Sequence, residues 1–295
     1  MLDAITGFHL ELTNICTLKC PRCARTEFID MLPTKWKNKN LKLADLQNFL
    51  DINLTDKKFL LCGTYGDPIY SPEIFEIVSW LKSQGAVITI ETNGSYKTKG
   101  WWEELVSKLD NRDQVSFSID GTPDNFTNYR VNADWNSIKI GIDVTTSSVV
   151  KTAWKFIRFS YNEYDIETVK QLSSNMGFDS FELIESDRWI ENDLLKPSQM
   201  AKEKIVQWVD KDTKINPACL NKNNMHYITA DGFYLPCCYV AGHQFLFKTS
   251  FWKNRIDYDI RKSTISNILE NKTKNFYTSL LEDKHDYCRF NCSEN

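Results

Sequence analysis

The chain has 295 residues, 42% hydrophobic and 25% charged, with a formal net charge of -3. That is the composition of a soluble globular protein with one large domain, or one domain and an appendage. The charge balance makes no electrostatic case for a nucleic-acid partner, no apolar run approaches the roughly 20 residues of a membrane span, and the N-terminus MLDAITGFHLELT lacks a signal peptide's basic region and apolar core. A cytoplasmic protein with no membrane partner is expected. Nine cysteines, an odd number, argue against a disulfide framework and for metal-ligating or redox thiols.

In chain order, GFHLELT (7–13) alternates and predicts a strand. LADLQNFLDIN (43–53) has helical spacing, and KKFLLCG (57–63) reads as a buried strand ended by glycine. PEIFEIVSWLKSQG (72–85) is an amphipathic helix with Gly85 as its C-cap. AVITIET (86–92) is a β-branched strand closed by the turn dipeptide Asn93-Gly94. WWEELVSKLD (101–110) predicts a helix, QVSFSID (114–120) a strand, and WNSIKIGIDVTTSS (135–148) a helix followed by a possible strand. WKFIRFS (154–160), DIETVKQLSSNMG (165–177) and SFELIES (180–186) read as strand, helix and strand.

About six β/α units result, which predicts parallel strands with right-handed crossovers. Six units fall short of an eightfold barrel, so the expected fold is α/β, a partial (β/α)6 TIM barrel that stays open. Residues 187–218 read as a helical linker, with MAKEKIVQWV its clearest helix. Residues 219–295 hold most of the remaining cysteines.

Cys16, Cys20 and Cys23 stand in CTLKCPRC, directly after the first strand, at the spacing C-x3-C-x2-C. Thiolates suit zinc or iron–sulfur clusters. Structural zinc wants four ligands, usually as two pairs. Three thiols on one loop can instead hold three irons of a cubane and leave the fourth iron open. A zinc site completed by Cys62 is disfavoured, because zinc explains none of the motifs that follow. Cys62 itself reads as a small buried hydrophobe.

CTLKCPRC resembles the cysteine motif of the radical S-adenosylmethionine (SAM) superfamily. GTYGDP (63–68) resembles that family's Gly-Gly-Glu-Pro segment, and ETNGS (91–95) its Thr-Asn-Gly strand ending. VSFSIDG (115–121), followed by NYR (128–130), resembles the fourth-strand region of members with SPASM or twitch domains. The resemblance spans residues 7 to 186 and implies a radical SAM core over 1–186. It implies that Cys16, Cys20 and Cys23 hold a [4Fe–4S] cluster whose open iron is chelated by SAM. Reductive cleavage of SAM to a 5′-deoxyadenosyl radical and hydrogen abstraction from a substrate C–H would follow.

The resemblance also implies roles for individual residues. Gly66 would let the backbone approach the SAM amino group. Ser118 and Arg130 would hold the SAM carboxylate, a task suited to the guanidinium fork. Thr92 and Asn93 would line the same pocket. Asp67 replaces the family's glutamate and keeps its charge, Tyr65 replaces its first glycine, and Arg22 stands where an aromatic often precedes the third cysteine. At position 22 a backbone contact to the cofactor survives. Taken alone, Ser118 reads as an ordinary strand residue and Arg130 as an ion-pair partner.

Downstream, Cys219 and Cys237 flank two alternating runs around Asp231-Gly232, a hairpin signal, and the chain closes with Cys288 and Cys292 in CRFNC. This resembles a twitch domain over 219–295, with one auxiliary [4Fe–4S] cluster on Cys219, Cys237, Cys288 and Cys292. Zinc is the competing metal for such a quartet, and Cys238 is a spare thiol or a substitute for Cys237. His226, His243 and His285 show no ligand spacing and read as ordinary histidines. A closed cluster suits electron transfer, so net oxidation or cross-linking of the substrate, a peptide or protein side chain or a small molecule, is expected. An external one-electron donor such as a flavodoxin or ferredoxin would be needed. The rival expectation is a non-catalytic iron–sulfur or zinc protein on the same fold.

Overall fold

The computed structural model describes residues 5–186, Trp189, 192–198, 225–242 and 250–271. Six strands run in chain order: β1 (Gly7–Leu10), β2 (Lys58–Leu61), β3 (Val87–Thr92), β4 (Gln114–Ser118), β5 (Lys151–Ile157) and β6 (Ser180–Ile184). Each pairs in parallel with the next. The connecting helices are α1 (Ala24–Met31), α2 (Leu43–Phe49), α3 (Ile74–Ser83), α4 (Lys99–Ser107), α5 (Trp135–Thr146) and α6 (Ile166–Asn175). The sheet continues beyond β1 with β7 (Met225–Ile228), parallel to it, and β8 (Tyr234–Leu235), antiparallel to β7. The strand order is β6-β5-β4-β3-β2-β1-β7-β8, an open sheet whose ends, β6 and β8, are not paired to each other. This is the parallel α/β architecture of a partial barrel. Two short helices, α7 (Ser250–Lys253) and α8 (Ile265–Asn271), follow.

Two periodicities build the core. Phe8, Leu10, Phe59, Leu61, Ile88, Ile90, Val115, Phe117, Trp154 and Phe156 alternate along the strands and are fully buried, or nearly so. In α3, Ile74, Ile77, Val78 and Leu81 recur at helical spacing and are buried. Each such side chain contributes roughly 1.5–3 kcal/mol by leaving water. Alternation sends the intervening residues His9, Cys62, Glu91, Ser118 and Lys155 to the other side of the sheet, where polar groups replace the apolar layers of a closed barrel.

One local expectation changes, and one helix forms where no element was expected. Residues 135–146 form one uninterrupted helix, α5, capped by Asp134, whose carboxylate accepts from the Ser137 N–H at 2.9 Å. The β-branched Val144-Thr145-Thr146 run reads locally as a strand, but Ile138, Ile142 and Thr145 are buried at helical spacing. The unexpected helix is α1, which follows Cys23 at once, with that cysteine as its N-cap residue. The Asp231-Gly232 turn does form a hairpin, with Gly232 at φ +83°. Cys219, Cys288, Cys292, His243, His285 and the helix expected at MAKEKIVQWV lie outside the described residues.

Candidate active site

The loop after β1 carries Cys16, Cys20 and Cys23 to the C-terminal ends of the parallel strands. A tight turn, in which the Cys23 N–H donates to the Cys20 carbonyl at 3.2 Å, joins the last two cysteines. The loop rests on an apolar cushion of Leu18, Tyr129 and Phe159. Tyr129 and Phe159 meet with ring centroids 4.2 Å apart. All three thiols are free of disulfides.

The three cysteines line one cleft together with Gly66, Asp67, Thr92, Asn93, Ser118 and Arg130. It holds a cavity of about 140 Å³ that opens to solvent at its mouth. Of the residues expected at the cofactor, only Arg22 is absent from this lining. Its guanidinium Nε donates instead to Asp193 Oδ2 at 2.8 Å.

Asp67 is the polar hub. Its Oδ1 accepts from Thr92 Oγ1 at 2.8 Å and the Ile69 N–H at 3.2 Å, and its Oδ2 from the Asn93 N–H at 2.7 Å and Asn93 Nδ2 at 2.5 Å. Burial raises its pKa, opposed by these same hydrogen bonds. Asn93 extends the network to a thiol, since its Nδ2 also lies 3.6 Å from Cys16 Sγ. The Leu18 N–H reaches the same sulfur at 3.4 Å.

Arg130 forms the opposite wall. Its Nε donates to Asp120 Oδ2 at 2.6 Å, and the Asp120 side chain is wholly buried. Burial works against the arginine's charge, but Asp120 and Cys20 hold it cationic. Burial pushes the Cys16 thiol up to about 12, with Asp67 adding to the effect. Cys20 is pushed up to about 11, against the pull of Arg130.

Gly66 has a reason of its own. A Cβ there would lie 1.9 Å from the Thr13 carbonyl oxygen and 2.7 Å from Asn14 Cα. The glycine lets the 63–68 segment pack against the strand end that leads into the cysteine loop. The Asp67 N–H then donates to the Ile15 carbonyl at 3.0 Å.

Cys62 and Arg25, outside the motifs, and Glu91, the first residue of ETNGS, also line the cleft. Cys62 is half-buried, not a sealed core residue. It follows β2 by one residue, so alternation alone would have turned it toward the polar side. Glu91 pairs with Lys155 Nζ at 2.5 Å. Arg25 stands two residues past the last motif cysteine, on α1, and its Nη1 donates to the Leu18 carbonyl at 3.3 Å. His226 is buried against Tyr234, Nδ1 to Oη 2.6 Å, and burial lowers it to about 4. Cys237 and Cys238 follow β8, and hydrogen bonds from Cys237 and His9 lower the Cys238 thiol.

Three free thiols at one cleft fit an iron–sulfur cluster better than a single ion. Among the described residues, no three His, Cys, Asp or Glu side chains converge as ligands of one metal ion. A cubane asks for no such convergence, because each thiolate takes a different iron. Donors aimed at Cys16 and a cation beside Cys20 suit sulfurs that become anionic on binding metal.

An open parallel barrel with thiols at its strand ends defines a class, and the family model of the radical SAM superfamily matches residues 10–150. That match covers just under half of the chain. The chain is 26% identical over 217 residues to the AdoMet-dependent heme synthase of Methanosarcina barkeri, covering 70% of this chain and 58% of the relative. The chain thus spans somewhat over half of that relative's length. In fold it is similar to anSMEcpe with bound AdoMet, at a TM-score of 0.64 and 13% identity over 96% of this chain and 84% of that one. It is also similar to Streptococcus suis SuiB bound to S-adenosylmethionine, at 0.58 and 13% over 86% and 65%.

Proposed function

We propose that the protein is a radical SAM enzyme that binds a [4Fe–4S] cluster through Cys16, Cys20 and Cys23 and uses it with SAM to functionalise a substrate C–H bond. The observation that carries this reading is the gathering of the three thiols with Asp67, Asn93, Ser118 and Arg130 around one cleft. When bound, the cluster and SAM supply a 5′-deoxyadenosyl radical, chemistry that belongs to the cofactor.

The chain's own residues do the placing. Arg130 donates its Nε to Asp120 and lines the cleft, where a carboxylate such as that of SAM would be the matching ligand for its guanidinium. Ser118, at the end of β4, adds a hydroxyl on the same wall. Asp67 spends its acceptor sites on Thr92, Ile69 and Asn93, so its role is to brace the strand ends. Tyr129 and Phe159 keep water from the thiols' apolar side.

We assign the substrate to the polar side of the barrel, where Glu91 and Lys155 stand next to the cleft. A peptide or protein side chain is favoured over a small molecule, because anSMEcpe has been solved with a peptide and SuiB with its precursor peptide SuiA. We retain a radical SAM core over 1–186, a linker over 187–218 and a twitch domain over 219–295. In that domain Cys219, Cys237, Cys288 and Cys292 would bind an auxiliary cluster serving as the exit for an electron from the oxidised substrate. A flavodoxin or ferredoxin would supply the reducing electron.

Anaerobic reconstitution tests the reading. About eight irons per chain, and 5′-deoxyadenosine on adding SAM and dithionite, are expected. Four or fewer irons with intact SAM would leave a non-catalytic metal protein in its place.

A further inference from the structure

Asn93 is 4% exposed, and every atom of its amide is committed. Its Oδ1 accepts from the Ser95 N–H at 2.9 Å. Its Nδ2 faces Asp67 Oδ2 at 2.5 Å and Cys16 Sγ at 3.6 Å. The amide cannot be flipped. Exchanging oxygen and nitrogen would set Oδ1 against the Asp67 carboxylate and Nδ2 against the Ser95 N–H. With two protons on Nδ2 and two acceptors before it, one proton goes to the carboxylate and the other to the sulfur.

Asp67 fixes this geometry from both sides, because the Asn93 backbone N–H is bound to the same Oδ2 at 2.7 Å. The carboxylate is locked in turn by Thr92 and by its own cap of Ile69. The result is a donor held in place and aimed at one cysteine of three.

We propose that Asn93, held by Asp67, sets the reduction potential of the cluster bound at the trio by donating a hydrogen bond to Cys16 Sγ. This rests on the cluster assignment made above. Reduction adds one electron, supplied in the test by dithionite, takes the cluster from 2+ to 1+, and moves no proton. The added charge spreads onto the thiolate sulfurs, so a donor at sulfur stabilises the reduced state more than the oxidised one and raises the potential. Asp67 is a positioning residue here: it acts on the cluster through the amide it orients. Without the amide, the Cys16 sulfur would face the Asp67 carboxylate with the Leu18 N–H as its remaining donor, and the amide turns that neighbour into support for a second one.

The experiment is an anaerobic potentiometric titration followed by electron paramagnetic resonance. Wild type, Asn93→Ala and a triple Cys16/Cys20/Cys23→Ala variant are compared. The triple variant identifies the trio's signal by its loss. Nitrogen coupling is read separately in wild-type protein labelled with 15N at the asparagine side chain. A midpoint shifted to more negative potential in Asn93→Ala at unchanged iron content, with a 15N coupling in wild type that this variant lacks, is the expected result. An unshifted midpoint in a fully loaded variant overturns the proposal. So does a missing 15N coupling in wild type, which needs no variant to fold. If wild type shows no signal that the triple variant lacks, the cluster assignment fails instead, and iron content reports that separately.

Discussion

Glu11 and Tyr65 are joined at 2.7 Å, the Tyr65 N–H donating to a carboxylate that is only 2% exposed. The other oxygen of Glu11 accepts from the Ala230 N–H at 3.3 Å. One side chain at the end of β1 therefore ties the glycine-containing segment beside the cleft to the hairpin of β7 and β8. Burial pushes its pKa up to about 7, opposed by these two hydrogen bonds.

The folded pKa of Glu11 lies above the unfolded one, so the unfolded state ionises first as pH rises. The stability associated with the protonated form is fully present below about pH 4.5 and is lost between there and about pH 7. Glu11→Gln removes that loss. The variant is expected to gain on wild type by an amount that grows to about 3 kcal/mol between pH 4.5 and 8. Urea denaturation at both pH values measures it; a difference independent of pH counts against the assignment.

Gly66→Ala is expected to be among the most damaging single-methyl additions in the chain. The methyl would meet the Thr13 carbonyl at 1.9 Å, and backbone on both sides must move. Overpacking of this kind costs roughly 1–3 kcal/mol. The displaced segment includes Asp67, so SAM binding measured by calorimetry should weaken together with the melting temperature.

Arg130→Met leaves Asp120 buried without its cation, a loss of roughly 3–5 kcal/mol. Replacing both, as Asp120→Asn with Arg130→Met, should restore much of the stability. It should not restore SAM affinity, because the cation facing the cleft is still missing. Thermal denaturation and calorimetric SAM titration on the single and double variants separate the two roles.

Cys219→Ala with Cys237→Ala is expected to lower iron from about eight to about four per chain and still permit SAM cleavage. Turnover to the oxidised product should be lost. Full turnover to the same product would remove the electron-exit role.

Much of the fold was legible because strand and helix periodicities are local. β1 to β4, β6 and the helices at 43–49, 74–83 and 166–175 fall within the stretches their patterns predict, whereas β5 and the helix at 99–107 overlap theirs but begin before them. What periodicity does not carry is partner choice. Nothing near residue 225 says that Met225 will lie beside Gly7. Helix α1 was hidden because ARTEFIDM has little apolar pattern beyond the buried Phe28. In the site, the motifs placed the trio, Gly66, Asp67, Thr92, Asn93, Ser118 and Arg130 around one cleft. They did not place Arg25 and Cys62 and gave Glu91 no role, though each is brought there by its own element. The pattern at Gly66 pointed to a ligand, whereas the nearest atoms to its missing side chain belong to Thr13 and Asn14.

The pairing of β7 with β1 bears on how the polypeptide can be divided and how it is made. Gly7 to Leu10 are synthesised long before Met225 to Ile228, and one flank of that strand waits for them. Until those residues arrive, β1 offers a row of unsatisfied amides and carbonyls to any neighbouring chain. A fragment stopped near residue 186 keeps every cysteine of the opening trio but carries that raw edge for good. Such a truncation invites self-association, and the cysteine-poor hairpin at 225–235 serves as the seal that a nascent or shortened chain lacks.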